Sequence, residues 1–304
     1  MKKRKYRGEA DLKLFQDFNA RAISVTEHSG YLHPGDIPHH IYNGNKYYDP
    51  VELIRIWEDD QGLAAWMLVQ PRYKSFDAQV RPDLRGGELE REVLEETETL
   101  LLELMKKYEV SSDQIYADAF RGDTARIQLL AELDWEPEDT LPYVLNRREI
   151  TSVAAPELPV GFSFRSATGI EDASALAEVH NGAFNPTNWT PELYRKVMES
   201  PGYDPGRELV IQAPDGKLVT FCIIWLDQLN RIGSFEPVGT HRDYQRRGFG
   251  RAIMLYGMKK MITAGMKYAT VAHFGDNEAA KGLYQSLGFK PWHLLDEYSK
   301  LIIK

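Results

Sequence analysis

The sequence of 304 residues carries the same ending twice: FRGDTARIQLLAELDWEP from Phe120 to Pro137 and FGDNEAAKGLYQSLGFKP from Phe274 to Pro291, aligned without a gap. The beginnings correspond as well. Tyr6 and Arg7 precede an acidic, amphipathic run from Glu9, and Phe164 and Arg165 precede another from Glu171. A self-similar chain folds as copies of one unit, which argues against a single core running its whole length. At about 100 to 200 residues per domain, the length suits two such units. From Arg148 to Phe162 the chain has small residues and two prolines without helical periodicity, the composition of a linker. The boundary is therefore expected near residue 153, dividing the chain into 1–153 and 154–304.

The second half supplies the clearest element signals. The runs Glu208–Ala213 and Lys217–Leu226 flank an Asp215-Gly216 turn, which reads as a β-hairpin. A third apolar run, Arg231–Thr240, leads into a glycine-bearing turn, a helix over 248–264 and a strand over 268–274. The order is β-α-α-β-β-β-α-β-α-β. In the first half Val51–Trp57, Leu63–Gln70 and Phe76–Arg81 take the three strand slots before a long helix over 88–107. The class is α/β, a mixed sheet flanked by helices and written twice.

Composition narrows the function. No apolar run reaches the ~18 residues of a membrane span, and the basic start MKKRKYR lacks a following apolar stretch, so neither a membrane nor secretion is expected. Cys222 is the only cysteine and lies in an apolar run. It is expected in the core, and its solitude excludes an internal disulfide or a Cys-based metal cluster and fits a cytoplasmic protein. The net charge of −8 is uneven: residues 1–150 hold 20 Lys+Arg against 29 Asp+Glu, the remainder 17 against 16. Such a balance disfavours nucleic acid as a partner and favours small cations around the first half. The adjacent His39 and His40 stand without further nearby ligands, a weak metal signal, and no metal is expected. Oligomeric state is not legible.

At Gln245 the sequence reads QRRGFG, then Arg251 and Ala252, after an expected strand and at the start of a helix. Such a turn aims several backbone N–H groups at one point, with the positive end of the helix dipole behind them, and suits a pyrophosphate. As a bare pattern it would arise by chance on the order of 0.3 times in a chain this long. Its context is more specific. Downstream, NEAAKGLYQSLGF places Asn277 as a helix cap and Tyr284 two turns further along the same face. The strand, the Q-x-x-G-x-G turn, the helix, the next strand and the N-x-x-A-x-x-x-Y-x-x-L-G-F helix together resemble the GNAT superfamily of acetyl-CoA-dependent N-acetyltransferases over about residues 160–304. The doubled plan is similar to the tandem members of that superfamily.

The resemblance implies a tandem GNAT fold with acetyl-CoA as acetyl donor. It implies that the backbone from Gln245 through Arg246, Arg247, Gly248 and Phe249 to Gly250 cradles the pyrophosphate, with Arg246, Arg247 and Arg251 adding charge. Val238 and Thr240 would pair with the pantetheine arm as a neighbouring strand would, Asn277 would hydrogen-bond the cofactor, and Tyr284 would stand near the sulfur. In the first half, a gap-free alignment on Arg85 and Gln245 puts Glu88 and Glu90 where Gly248 and Gly250 stand. A carboxylate ~5 Å from a phosphate, at an effective dielectric of 20, costs on the order of 3 kcal/mol. Leu130 takes the slot of Tyr284. The expectation is a degenerate first copy that binds no acetyl-CoA, with Gly86 and Gly87 as a shifted alternative turn, and a catalytic second copy.

Acyl transfer from a thioester to an amine needs a neutral nucleophile, a polarised carbonyl and a proton for the departing thiolate. Direct attack in a ternary complex, the usual route of the superfamily, requires no enzyme-bound intermediate. Tyr284 is the candidate acid and Glu236, nine residues before Gln245, the candidate base or orienter of the acceptor; a strand N–H near Val238 would polarise the carbonyl. Pro237 is expected to mark a splay or bulge, His241 is a weaker candidate proton relay, and Phe235 and Phe274 would shape the acyl slot. Loops 41–48 and 181–189 are candidate walls of the acceptor pocket. The acceptor is expected to be a small cationic amine. Another acyl-CoA, a hydroxyl acceptor or a non-catalytic CoA-sensing module are the alternatives. A dinucleotide enzyme is disfavoured, because the glycine order is wrong for it.

Overall fold

The two openings fold alike because the same ion pair fastens both. Arg4 forks onto Asp11 at 2.7 and 2.8 Å, and Arg165 forks onto Asp172 at 2.6 and 2.8 Å. In each case the aspartate also accepts a backbone N–H, from Arg7 or from Thr168. An arginine on the first strand thus fixes the entry to the first helix twice over. The computed structural model describes residues 1–27, 30–184 and 187–302.

The chain packs into two units, one built from Met1–Leu145 with Phe274–Asp276 and the segment from Trp292 onward, the other from Asn146–His273 with Asn277–Pro291. In chain order the first half forms β1 (Lys2–Lys5), α1 (Glu9–Thr26), α2 (Pro50–Leu53), β2 (Ile54–Asp59), β3 (Gly62–Gln70), β4 (Ser75–Val80), α3 (Glu88–Lys107), β5 (Gln114–Phe120), α4 (Thr124–Glu132), β6 (Glu136–Pro137) and β7 (Tyr143–Glu149). The second forms β8 (Ser163–Ser166), α5 (Ala173–Ala183), α6 (Pro191–Met198), β9 (Glu208–Gln212), β10 (Leu218–Asp227), β11 (Ile232–Thr240), α7 (Phe249–Thr263), β12 (Tyr268–Phe274), α8 (Glu278–Ser286) and β13 (Lys290–Leu301). This is the expected mixed α/β plan, twice. The expected strand from Val51 begins later, at Ile54, because Asp49 caps a short helix at Val51 N and Pro50 fills its first position.

The last strand departs from the boundary near residue 153. β13 pairs antiparallel with β5, from Leu295 opposite Phe120 to Leu301 opposite Gln114, so the sheet of the first unit runs β1–β2–β3–β4–β5–β13. The second unit's sheet runs β12–β11–β10–β9–β8, with β7 beside β12. Each half therefore lends its closing strand to the other's sheet. In the first unit β3 is buried almost throughout and Trp66 stacks on Phe15 at 4.4 Å. In the second, β10 is covered on both faces, with Met254 and Met258 of α7 in the cluster on one side and Leu176 of α5 and Tyr194 of α6 in the cluster on the other. Burial on both faces explains its unbroken apolar run.

Candidate active site

β11 is the spine of the site. It runs parallel to β12 from Ile232 opposite Tyr268 to Phe235 opposite Val271, and the pairing stops there. On its other side Cys222 faces Val238 while Ile224 faces Phe235, so Glu236 and Pro237 form a bulge against one residue of β10. A bulge bends the strand locally, and among the described residues the ladder between β11 and β12 does not extend to Pro237–Thr240. The indole of Trp225 donates to the Glu236 carbonyl at 2.7 Å and fixes this bend from the β10 side. Sequence patterning gave no signal for that anchor.

Beyond Thr240 the backbone makes one tight turn at Arg242–Tyr244, passes through left-handed conformations at Arg246 (φ 64°) and Gly248 (φ 83°), and enters α7 at Phe249. A Cβ on Gly248 would meet nothing, and one on Gly250 would approach Leu283 at 3.3 Å. The start of α7 is thus open to solvent at the turn and close to α8 one step inside. Gln245, Arg246, Arg247 and Gly248 are exposed, and Phe249 is buried, offering only its backbone outward. The Gln245 amide donates to the Thr240 carbonyl at 3.2 Å, Arg247 lies over the Tyr244 ring at 5.2 Å, and Arg251 donates to the Ser286 carbonyl at 2.9 Å. Arg251 is therefore engaged with the end of α8, while Arg246 lends the turn its charge.

Asn277 caps α8 by accepting from Ala280 N at 3.0 Å. Tyr284 lies two turns on, 7% exposed, with its ring 5.9 Å from His273 and 6.2 Å from Phe289. Burial, aided by the charge of Glu236, pushes its hydroxyl well above the ordinary tyrosine range, so it holds its proton throughout the neutral range. It is packed in the core and electrostatically linked to Glu236 at once. Val238 is half-buried and Thr240 Oγ1 lies 3.3 Å from Thr220 Oγ1.

Other sequence candidates fall elsewhere. Cys222 is fully buried, and burial raises its thiol pKa. His241 is half-buried and accepts the Asp243 N–H at 3.3 Å; five residues past Glu236, it is about 16 Å along an extended strand from the bulge. With Glu178, Asn181 and Trp189 it lines a cavity of about 570 Å³ whose lining does not include Glu236 or Pro237. Of loop 181–189, Asn185 and Pro186 lie outside the described residues. Phe235 is in the core, whereas Phe274 is 68% exposed and packs on Tyr143 in the first unit. Loop 41–48 also belongs to the first unit, where Tyr42 bonds Tyr6 at 2.8 Å. His40 lies 3.3 Å from Asp36, and among the described residues no group of three His, Cys, Asp or Glu is placed to hold a metal. A buried carboxylate that sequence reasoning passed over, Glu208, accepts from Tyr194 and from Tyr203 (2.7 Å) and ties α6 to β9.

The first unit's equivalent turn corrects the gap-free alignment. Arg85 and Gly86 (φ 73°) match Gln245 and Arg246, but Gly87 then caps α3 directly, as Gly248 caps α7. The turn is one residue shorter, so Glu88 corresponds to Phe249 and Glu90 to Arg251, and neither replaces a glycine. Glu90 is wholly buried and accepts the Gly86 N–H at 2.5 Å and Arg126 Nε at 2.6 Å. Its carboxyl would be raised by burial alone, yet Arg126 and Arg85 hold it below the ordinary range. The acid is thus an internal partner of the turn.

A sequence model described as the acetyltransferase (GNAT) family matches residues 175–289. Among curated proteins, the mycothiol acetyltransferase of Kineococcus radiotolerans is 28% identical over 144 residues, covering 46% of this chain and 46% of that protein. That of Nocardiopsis dassonvillei is 33% identical over 110 residues, covering 33% and 32%. The chain thus spans about half the length, or less, of the curated relatives it matches. Two solved structures share the fold along its length. A GCN5-related N-acetyltransferase from Sphaerobacter thermophilus superposes with a TM-score of 0.65 at 19% identity, covering 100% of this chain and 96% of its own. A tandem GNAT protein from the clavulanic acid biosynthesis pathway superposes at 0.67 and 12% identity, covering 99% and 98%. Residues 175–289 thus carry the domain of the GNAT acetyltransferase family, and along its length the chain has the fold of a tandem GNAT protein.

Proposed function

We propose that the second unit transfers the acetyl group of acetyl-CoA to the primary amine of a small, cationic molecule by direct attack in a ternary complex. The observation that carries this reading is the end of the β11–β12 ladder at Phe235, with Glu236 at a bulge just beyond it and an open left-handed turn where β11 ends. Acetyl-CoA supplies the activated thioester. The residues fit it: N–H groups from Gln245 to Gly250 and the Arg246 charge suit the pyrophosphate, and the strand beyond the ladder, at Val238 and Thr240, suits an amide-bearing arm. Asn277 already spends its side-chain oxygen on the α8 cap, leaving its amide N–H for the cofactor.

Glu236 orients the acceptor ammonium and takes its proton, and the Tyr284 hydroxyl, kept protonated by its surroundings, delivers one to sulfur. Holding amine and thioester together supplies much of the rate. The first unit binds no acetyl-CoA, because Glu90 already occupies the Gly86 N–H of its turn; the working division is a supporting domain before residue 153 and a catalytic one after it. The name shared by the relatives makes a mycothiol-type amine one acceptor to try.

The test is thiol release from acetyl-CoA by the full chain against a panel of amines, polyamines, aminoglycosides and amino-acid derivatives. Amine-dependent release with one CoA bound per chain is expected. Absence of CoA binding would end this reading, and release independent of any amine would favour a hydrolase or sensor.

A further inference from the structure

The last helix of each unit begins under the same cap, since Asp123 accepts from Arg126 N at 3.2 Å as Asn277 accepts from Ala280 N at 3.0 Å. Residues 126 and 280 therefore hold one structural position, and the chain fills it with an arginine in one unit and an alanine in the other. Arg126 is 6% exposed. Its Nη2 donates to the Ala78 carbonyl at 2.9 Å, and its Nε to Glu90 at 2.6 Å. Ala78 lies two residues before the end of β4, as Val238 lies two before the end of β11. β4 also leaves its parallel neighbour early, pairing with β5 only at Ser75 and Tyr116. A buried strand carbonyl without a ladder partner must be satisfied by something else, and here a side chain satisfies it.

We propose that Arg126 and Glu90 stand in for the acyl-CoA in the first unit: the guanidinium takes the strand carbonyl along which the cofactor's arm would run, and the carboxylate takes the turn N–H that a phosphate would use. The residue at 126 or 280 then decides whether a unit of this chain admits cofactor. This rests on the reading of the second unit as the cofactor site. The network is closed on itself. Arg85 reaches Glu90 at 3.5 Å and pairs with Asp123, the cap of the same helix. Outside it, the groove of about 350 Å³ between α4 and the start of α3 is crossed by the Arg91–Glu132 ion pair. A buried carboxylate with two guanidiniums and a backbone donor is satisfied; stripped of Arg126 it is not.

Two measurements on the full chain test this. Ala280→Arg should weaken CoA binding by at least a hundredfold in titration calorimetry, with Ala280→Ser binding within a few-fold of the parent. Arg126→Ala should raise amide exchange across β4 and residues 86–90 at least tenfold, with Arg126→Lys partly restoring protection and CoA leaving these segments unaffected in the parent. Binding of CoA by Ala280→Arg at the parent's affinity would overturn the proposal, and so would unchanged exchange in Arg126→Ala. Should Ala280→Arg fail to fold, the exchange arm decides alone. Should the parent bind no CoA, the functional reading fails while the exchange arm still reports on the strut.

Discussion

Tyr284 and Asp118 show how position sets the working state of a single side chain. A tyrosine whose proton is held firmly is a poor base and a usable acid once a thiolate forms beside it. Tyr284→Phe should therefore lower kcat by about a hundredfold or more with little change in KM, the scale of a lost proton donor, as steady-state thiol release would show. Asp118, on β5, is exposed by surface area yet crowded by protein; this desolvation, with the charges of Asp77 and Glu297 adding to it, raises its pKa to about 7. A carboxyl raised in the folded state is most favourable when protonated, so its contribution is intact below pH ~4 and is lost as the pH climbs through 7. Asp118→Asn should accordingly gain stability over the parent in urea denaturation, the gain growing as pH rises from about 5 to about 7 and levelling off above it.

At the level of elements, the turn into α7 carries most of the proposed cofactor site. Gly248 adopts φ 83°, a conformation that costs other residues about 1 kcal/mol or more. Gly248→Ala should lower the melting temperature by a few degrees and weaken CoA binding further, which thermal unfolding with and without CoA would separate. This turn was legible because its glycines and the flanking strand and helix are written in consecutive residues. So were the hairpin at Asp215-Gly216 and the long α3. The first unit's turn was not: a gap-free comparison put Glu90 on Gly250, while the chain has one residue fewer there and Glu90 points inward to Arg126. Helix caps reveal that register, and caps depend on backbone angles that letters do not record. Glu236 and Tyr284 were legible as types at spacings, but the electrostatic link between them and the Trp225 anchor of the bulge arise from packing.

For the whole molecule, the destination of β13 matters most. Its composition marks it as a strand and says nothing of which sheet receives it, since strand pairing is a long-range choice. It pairs with β5 over seven residues and is held further by Arg121, which forks onto Asp296 at 2.5 and 2.8 Å. A chain ending after Pro291 should lose cooperative unfolding first in residues 75–120, where β5 would become an exposed edge, as segment-resolved amide exchange would show. Expression of 154–304 alone should give aggregated protein, because β13 would then have no sheet to join.

The crossing of closing strands also bears on descent. Once two copies of an ancestral unit have traded their final strands, neither can be discarded by a simple deletion, for the survivor would be left with a gap in its sheet and an orphan ribbon. A copy that gave up its cofactor seat to its own arginine and glutamate would thereby be kept in the lineage as a scaffold, free to drift in chemistry but not to leave.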